Sequence, residues 1–510
     1  MDRGKKLLHG SAAKAVNFVI MIGTSFFMMP FLVRHLGEDR YGLWTLVGSF
    51  LGYYGLMDIG LSSAVVRFIS RAVGRKDDEE VRTVISTSFY MFLFLGLLSA
   101  AVTVIAVFLI GYFVHSSIDV RMMRLLLLLL GLNFAVDFPV RSFNAVFTSN
   151  LREDIGTGIM IVKNLVCAVA IYFVVKNGGG ILGLAVTSVG FSLLDSATRV
   201  FMAYRVEPRT TISRKYLKME HLKPMFGYSF PTMIGRFASI LNFRLDQLVL
   251  TTFVGLGAVT HYAVGFRLIE YVSNLMGQTT GVVTPLFSQD EGKNDFPAIR
   301  RKFILISRAS VYVAIFFCGM LYHYGRPFIF RWMGPGFDDS AIVMFIFLVP
   351  FSLNLVQAAV IPLLYGISRH QFYVYTNLVE GVINLALSII LAHYYGLYGV
   401  ALGTAIPMTI KLVFIQPWYA CRVIGLTTRE YAWLLGKHIF IASVGISLGK
   451  LVLPHLDQLG IIGFLIAGMV HLALYLPVAL YFGFETKDRE RVIEMISSTL
   501  RVKKKPAALA

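Results

Sequence analysis

Charge and cysteine are what this sequence has least of. Only 15% of its 510 residues are Asp, Glu, Lys or Arg, and 56% are apolar, with a mean hydropathy of +0.69. Soluble domains are roughly 25% charged. The three cysteines, Cys167, Cys318 and Cys421, lie singly inside apolar runs, which disfavours disulfides and metal sites. The composition excludes an ordinary soluble domain and indicates a membrane protein.

The motifs of soluble enzymes are also missing. The sequence has no phosphate-binding loop with Lys and Ser/Thr, no Gly-x-Ser-x-Gly and no helical His pair at metal spacing. Its loops are too short to contain an ATP-hydrolysing domain. We therefore predict a protein that is not an enzyme and has no cofactor. Any uphill movement of a substrate would draw on an H+ or Na+ gradient, the membrane potential or a substrate gradient.

Long apolar runs dominate the chain. About fourteen are long enough to cross a bilayer as helices, and they are continuous rather than alternating, which argues against a membrane β-barrel. Lys and Arg concentrate in alternate loops, a bias that predicts a cytoplasmic N terminus, and an even number of spans places the C terminus there too. This bias accounts for most of the net charge of +18, so no nucleic-acid partner is expected.

The two halves of the chain resemble each other. GILGLAV from Gly180 is similar to GLYGVAL from Gly396, and NLREDI from Asn150 is similar to ISRHQF from Ile367 at nearly the same offset. These correspondences indicate a duplication. We predict an all-α integral membrane protein with about 14 transmembrane helices. Two six-helix lobes would form a parallel pseudo-twofold repeat, an architecture of transporters whose site lies between the halves near the midplane.

A hydrophilic stretch after the sixth run marks the border between the predicted lobes. Two further C-terminal runs stand outside the repeat and are expected to contact membrane lipids. The predicted organisation is an N-lobe over residues 1–206, a cytoplasmic linker over 207–224, a C-lobe over 225–421, an extra helix pair over 434–483 and a basic cytoplasmic tail over 484–510.

Charged residues inside the apolar runs are the candidates for function, because each costs about 2.5–3.5 kcal/mol at the bilayer centre. The basic ones outnumber the acidic ones, which predicts a cationic lumen. The predicted substrate-binding residues are Arg141, Lys163, Arg236, Arg244, Arg267 and Lys411. The predicted ion-coupling or gating residues are Asp58, Asp246, Glu270, Asn274, Gln278 and Glu380.

One group of these residues shares a helix face. Arg267, Glu270, Asn274 and Gln278 form a polar stripe of about three turns. Two explanations fit the stripe equally well: it contacts the substrate, or it packs against another helix through structural hydrogen bonds.

On one continuous helix, Arg236, Arg244 and Asp246 would share a broad polar sector, with Arg244 and Asp246 at its edges. We interpret the two arginines as part of an anion-receiving lumen and Asp246 as a lock to a neighbouring helix. A static ion-pair network is the alternative, chiefly for Asp246.

Two further pairs follow from spacing. Asp137 and Arg141 lie four residues apart around Pro139, as in a kinked helix with a structural ion pair. Lys163 and Glu380 occupy matching repeat positions and would form a gate, or would be two unrelated lumen residues.

Three stretches carry a family resemblance: FLVRHLGEDRYGLWTL from Phe31, GLMDIGLSSAVVRFIS from Gly55 and RLDQLVLTTFVGLGAVTHYAVGFRLIEYV from Arg244. They resemble the polysaccharide-exporter branch, which contains the O-antigen flippases, of the multidrug/oligosaccharidyl-lipid/polysaccharide flippase superfamily. The resemblance implies two six-helix lobes around a V-shaped cavity, and alternating access.

The resemblance also implies a substrate and a location. The substrate would be a polyprenyl-diphosphate-linked oligosaccharide, moved from the inner to the outer leaflet of a bacterial inner membrane for cell-surface polysaccharide synthesis. Polysaccharide polymerase and other assembly proteins are expected partners. Because the related peptidoglycan-precursor flippase uses cavity arginines, Arg267 is the first choice for a phosphate contact.

Two other functions stay open at this point. A cation-coupled multidrug exporter of the same superfamily would need an anionic cavity for organic cations, and the basic surplus counts against it. A non-transporting scaffold for polymer-synthesis enzymes would work without the intramembrane arginines.

Overall fold

The computed structural model describes residues 3–58, 60–113, 120–218, 244–452 and 461–483, together with positions 220, 237 and 489. No β-strand occurs in these ranges, which confirms the predicted all-α fold. Within the described ranges, ten helices are long and apolar enough to cross a membrane, so this is a multi-pass membrane protein. The number of fourteen spans stays a prediction.

The helices are named in chain order. In the first half they are α1 (Arg3–Leu36), α2 (Glu38–Tyr54), α3 (Leu61–Arg75), α4 (Asp78–Phe113), α5 (Val120–Ser149), α6 (Glu153–Lys176) and α7 (Gly180–Val206). In the second half they are α8 (Asp246–Phe253), α9 (Leu256–Glu291), α10 (Phe296–Met333), α11 (Asp338–Val356), α12 (Val360–Gly366), α13 (Gln371–Ile410), α14 (Gln416–Ile424), α15 (Thr428–Val452) and α16 (Ile461–Gly483). A π-helical segment, Lys411–Ile415, joins α13 to α14.

Backbone conformation repeats along the chain at the positions that the sequence repeat pairs. Gly180 and Gly396 both have φ of 55°, and Gly396 divides α13 into two helices. Leu151 and Ser368 have φ of 57° and 56°. Left-handed backbone is rare in residues other than glycine, so its recurrence at matching positions supports the duplication.

The turns that precede α4 and α10 extend this repeat. Lys76 and Asn294 have φ of 57° and 56°, and each is followed by an aspartate that caps the next helix. Asp77 and Asp295 each accept a hydrogen bond from the backbone N–H three residues on, at 2.9 Å in both turns. The same capped turn therefore starts α4 in the first half of the chain and α10 in the second half.

Contacts divide the chain into two compact units. The first unit comprises Met1–Thr260 with Asn377–Val400, and the second comprises His261–Thr376 with Ala401–Ala510. The core of the first unit forms where the apolar stripe of α3, which includes Leu61, Val65 and Ile69, packs against α4 and α5. The predicted lobe boundaries stay a prediction.

The described part of the predicted linker, residues 207–218, packs on the start of α4. Arg209 bridges two carboxylates: its Nη1 lies 2.7 Å from Asp78 Oδ1 and its Nε lies 2.6 Å from Glu207 Oε1. Burial raises the pKa of Glu207, but the hydrogen bonds and charge of Arg209 outweigh it and lower that pKa overall. The chain after α7 is therefore fixed to the first unit at this point.

Within the first unit, α2 lies antiparallel along residues 244–260, and we call this contact the α2 seam. Thr260 Oγ1 donates to the Glu38 carbonyl at 2.7 Å, and farther along the Ser49 hydroxyl donates to Gln247 Oε1. Between them, Gly42 lies so close to Leu256 that a Cβ atom would overlap the Leu256 carbonyl oxygen. The missing side chain is what lets the two backbones approach here.

Substituting Gly42 by Ala tests the seam. Since the overlap is with backbone, the Gly42→Ala protein should lose about 1–3 kcal/mol of stability. Gly48→Ala is the matched control on the same helix: nothing lies within 4 Å of a Cβ there, and alanine favours helix by about 0.5–1 kcal/mol. The melting temperature in detergent should fall for Gly42→Ala, and it should stay the same or rise for Gly48→Ala. Equal melting temperatures would contradict the close approach.

Candidate functional site

Arg244 lies at the end of the α2 seam as an exposed cation. Its backbone carbonyl accepts a hydrogen bond from the Tyr53 hydroxyl at 3.0 Å. Its guanidinium lies against Gly52, where a Cβ atom would come 3.3 Å from Nε. Among the described residues, no carboxylate pairs with this guanidinium. The backbone of Arg244 is thus held in place, while its guanidinium is exposed.

The helical-wheel argument for this segment is wrong in part. Arg244 and Leu245 form a turn, and α8 begins at Asp246, so Arg244 and Asp246 do not lie on one helix. A carboxylate in the first turn is stabilised by the partial positive charge of a helix N terminus, which explains a start at Asp246. Asp246 is buried. Arg236 lies outside the described residues, and its role stays a prediction.

Arg141 is the centre of an ion-pair cluster in the first unit. It lies 3.4 Å from Asp137 on its own helix, which confirms the predicted i,i+4 pair, and 3.7 Å from Asp58. Its guanidinium lies 4.3 Å from the ring centre of Phe138. Asp58 also accepts a hydrogen bond of 2.7 Å from the Ser62 hydroxyl. The roles predicted for Arg141 in substrate binding and for Asp58 in gating are untested, and these contacts favour a structural role for both.

The polar stripe on α9 belongs to the second unit. Arg267 Nη1 lies 2.7 Å from Glu270 Oε2, so the predicted shared face exists as an ion pair of two partly exposed side chains. Asn274 is exposed, and the side chain of Gln278 lies outside the described residues. Part of the charge of Arg267 is therefore balanced by its own helix.

The other three predicted residues lie apart from these groups. Lys163 lines a groove between α6 and α7, Glu380 is buried on α13, and Lys411 is buried in the π-helical segment with Nζ 5.6 Å from the ring centre of Tyr373. Lys163 makes no ion pair within the described part of the chain, so a closed Lys163–Glu380 gate is not present in this conformation. The gate stays a prediction.

Sequence reasoning missed the residues that position Arg244. Gly52, Tyr53 and Ser49 lie about two hundred positions before Arg244 and Gln247, which they contact, and no local spacing indicates such a pairing. The only signal was indirect: Ser49, Gly52 and Tyr53 lie between two of the stretches that carried the family resemblance, and Arg244 begins the third stretch.

Membrane-crossing helices with charged residues buried along them are the mark of a transporter, since such charges are costly and are kept where ions or polar substrates pass. The chain belongs to the polysaccharide biosynthesis protein family, whose model matches residues 10–290. The resemblance to polysaccharide exporters of the flippase superfamily is thereby confirmed.

Relatives in sequence agree with this assignment. The chain is 22% identical to the uncharacterized membrane protein EpsK of Bacillus subtilis (strain 168) over 85% of each chain. It is 22% identical to the putative O-antigen transporter of Shigella flexneri, covering 77% of this chain and 92% of that one.

Solved structures show the same fold. The lipid II flippase MurJ in its inward closed conformation has a TM-score of 0.72 at 15% identity, covering 93% of this chain and 98% of that one. An inward-facing multidrug resistance MATE family transporter of the MOP superfamily has a TM-score of 0.67 at 14% identity, covering 79% and 94%. This protein thus has the fold of these two membrane transporters.

The Arg141 cluster generates a stability prediction. Asp58 has a side chain only 4% exposed, so Arg141→Gln should leave a buried carboxylate without this cation and cost about 3–5 kcal/mol. Adding Asp58→Asn to Arg141→Gln should restore part of that loss. Asp137→Asn is the control, because that carboxylate is 39% exposed and its pair is worth about 0–1 kcal/mol. Melting temperatures of the purified variants measure this, and a double variant no more stable than Arg141→Gln would contradict it.

Proposed function

We propose that this protein is a flippase that moves a polyprenyl-diphosphate-linked oligosaccharide from the inner to the outer leaflet for cell-surface polysaccharide synthesis. It works by alternating access around a cationic central cavity, in a bacterial inner membrane with both termini in the cytoplasm, and it carries out no chemistry on the substrate. The family, the fold and the composition support this proposal.

The exposed guanidinium of Arg244 is the observation that carries the proposal. A diphosphate requires fixed cations, and arginine offers a planar pair of donors that stays protonated. Arg141 is already bound by two carboxylates and Arg267 by one, whereas Arg244 has no carboxylate partner among the described residues. We therefore place Arg244 first among the phosphate contacts and Arg267 second.

The pairing of Arg267 with Glu270 supports a coupling role for the carboxylate. A phosphate that approaches Arg267 must compete with Glu270 across a 2.7 Å ion pair, and protonation or Na+ binding at Glu270 would release the guanidinium. Proton or sodium coupling at this pair is therefore part of the proposal. Asp246 and Glu380, both buried carboxylates, are further candidates for such coupling.

The names of the relatives point to the same class of substrate. One is a putative O-antigen transporter, and the other is a flippase for lipid II. Both names denote glycans or glycan carriers in the bacterial envelope, and the proposal extends that class to this chain.

A multidrug exporter is the second candidate, because the MATE fold matches most of the chain. An exporter of organic cations would be hindered by an exposed arginine on the substrate path, since like charges repel. A scaffold without transport activity is the third candidate, and it would not depend on Arg244 at all.

Transport by purified protein in proteoliposomes tests the proposal. Wild type should flip a fluorescent polyprenyl-diphosphate oligosaccharide, and Arg244→Ala should reduce the rate at least tenfold if it removes about 1.5–3 kcal/mol of charged hydrogen bonding. The flipping rate of Arg244→Lys should lie between those of the wild type and Arg244→Ala, because lysine keeps the charge but loses the bidentate geometry. Arg326→Ala is the control, since Arg326 is 69% exposed and pairs with an exposed aspartate.

Two results would overturn this assignment. A wild-type protein that moves organic cations and not the lipid would identify a drug exporter. Normal lipid flipping by correctly folded Arg244→Ala would remove Arg244 from the substrate path.

A second substitution tests position rather than charge. Gly52→Leu should displace the Arg244 guanidinium, because even a Cβ atom at Gly52 comes within 3.3 Å of Nε. Flipping should fall while the net charge of the protein is unchanged. Gly48→Leu, one turn earlier with open space at its Cβ, should flip at the wild-type rate. If both leucine variants flip equally well, the place of Arg244 against Gly52 is unimportant for transport.

A further inference from the structure

A groove between α6 and α7 contains Lys163, an intramembrane lysine that the proposed transport mechanism does not use. Its volume is about 450 Å³, and it is lined mostly by apolar side chains, among them Val162, Val166 and Leu194. Lys163 and Asp195 are its charged members. Val162 and Leu194 are 61% and 62% exposed, so the groove is open along its length.

Hydrocarbon is the natural content of such a groove. In a bilayer, lipid chains are the surrounding solvent, and an apolar cleft left empty would lose the dispersion contacts of its lining. Because the lining is apolar on both helices, from Ile159 and Val162 on α6 to Leu194 and Phe191 on α7, an acyl chain matches it along most of its length.

The charge of Lys163 indicates that a molecule bound in the groove carries a negatively charged group. Asp195 is bound to Arg199 on its own helix, with its Oδ2 2.6 Å from Arg199 Nε, and Arg199 also donates to Asn144 at 3.0 Å. Asp195 is thus already balanced, and Lys163 forms no ion pair within the described residues. The groove therefore keeps one net positive charge.

Helix geometry indicates where that charge lies. Side chains on a helix point back toward its N terminus, so helix geometry favours a Lys163 ammonium on the side of Gly158 and of the charged start of α6 at Glu153. The polar end of the groove is therefore the end near Gly158, and the apolar end runs toward Val166 and Phe191. One basic group followed by an apolar channel matches a ligand with one negative charge and a hydrocarbon chain.

We propose that this groove binds an anionic phospholipid of the surrounding membrane, with its phosphodiester on the Lys163 ammonium and an acyl chain along Val162, Val166 and Leu194. The site is separate from the cargo path proposed above and does not depend on it. Binding there would hold α6 against α7 and make the stability of the first unit depend on lipid charge.

Lipid binding to the full-length protein in an uncharged detergent, measured by native mass spectrometry, tests this. Phosphatidylglycerol should bind the wild type about tenfold more tightly than phosphatidylcholine, the effect of one hydrogen bond to a charged group. Lys163→Gln should abolish that preference, and Lys163→Arg should keep it. Lys176→Gln, which removes a lysine from the end of the same helix, is the control and should also keep it.

A variant that fills the groove distinguishes the contribution of the lipid's acyl chain to binding from that of its headgroup. Gly158 lines the groove and has open space at its Cβ, so the Gly158→Leu protein should fold. Because the leucine occupies the groove, the binding of both lipids should become weaker. Gly190→Leu, with equally open space on α7 outside the groove lining, should bind as wild type does. These results together would establish the site.

Three results would overturn the proposal. One is a Lys163→Gln protein that keeps the full preference for phosphatidylglycerol, and another is a Gly158→Leu protein that binds both lipids normally. The third is displacement of phosphatidylglycerol by a polyprenyl diphosphate at lower concentration than by further phosphatidylglycerol, which would assign Lys163 to the cargo instead. Flipping activity is not a readout here, so failure of this proposal leaves the transport proposal standing.

Discussion

A charge inside hydrocarbon must have a counter-ion, water or a headgroup, and this requirement organises the structure of the protein. Three arginines meet it with carboxylate partners. Arg141 is held by Asp58 and Asp137, Arg199 by Asp195, and Arg267 by Glu270. An ion pair between two helices fixes one helix to the other, and an ion pair within one helix stiffens a single turn. Within the described residues, Arg244 and Lys163 pair with no carboxylate, and they are left to interact with something outside the chain.

Two such cations, Arg244 and Lys163, differ in their surroundings. Arg244 is exposed beside Gly52 and Tyr53, at a turn where its backbone carbonyl accepts a hydrogen bond from the Tyr53 hydroxyl on α2. Lys163 lies in an apolar groove between two helices. A rigidly placed guanidinium suits a charged cargo that binds and leaves, whereas an ammonium in an apolar groove suits a lipid that stays. The same rule of charge compensation therefore leads to two different ligands.

Close approach of backbones is the second constraint. Along the α2 seam, Gly42 allows α2 to lie against Leu256, and this contact places Ser49 and Gly52 where they reach Gln247 and Arg244. In the second unit, Gly449 makes room for the buried His471 between α15 and α16. Membrane helices gain little from apolar burial against one another, so packing of this kind supplies much of their association.

The sequence by itself determined the membrane class, the all-helical fold, the internal repeat, the family and the pairs Asp137–Arg141 and Arg267–Glu270. Apolar run length, composition and spacing along one helix are local properties, and they are legible without coordinates. Only the tertiary structure decided that Asp58 joins Arg141, and that Arg244 lies against Gly52 while Lys163 lies in a groove. Those outcomes depend on which helices meet across large sequence separations, and charge compensation between distant helices leaves no periodic trace in the chain.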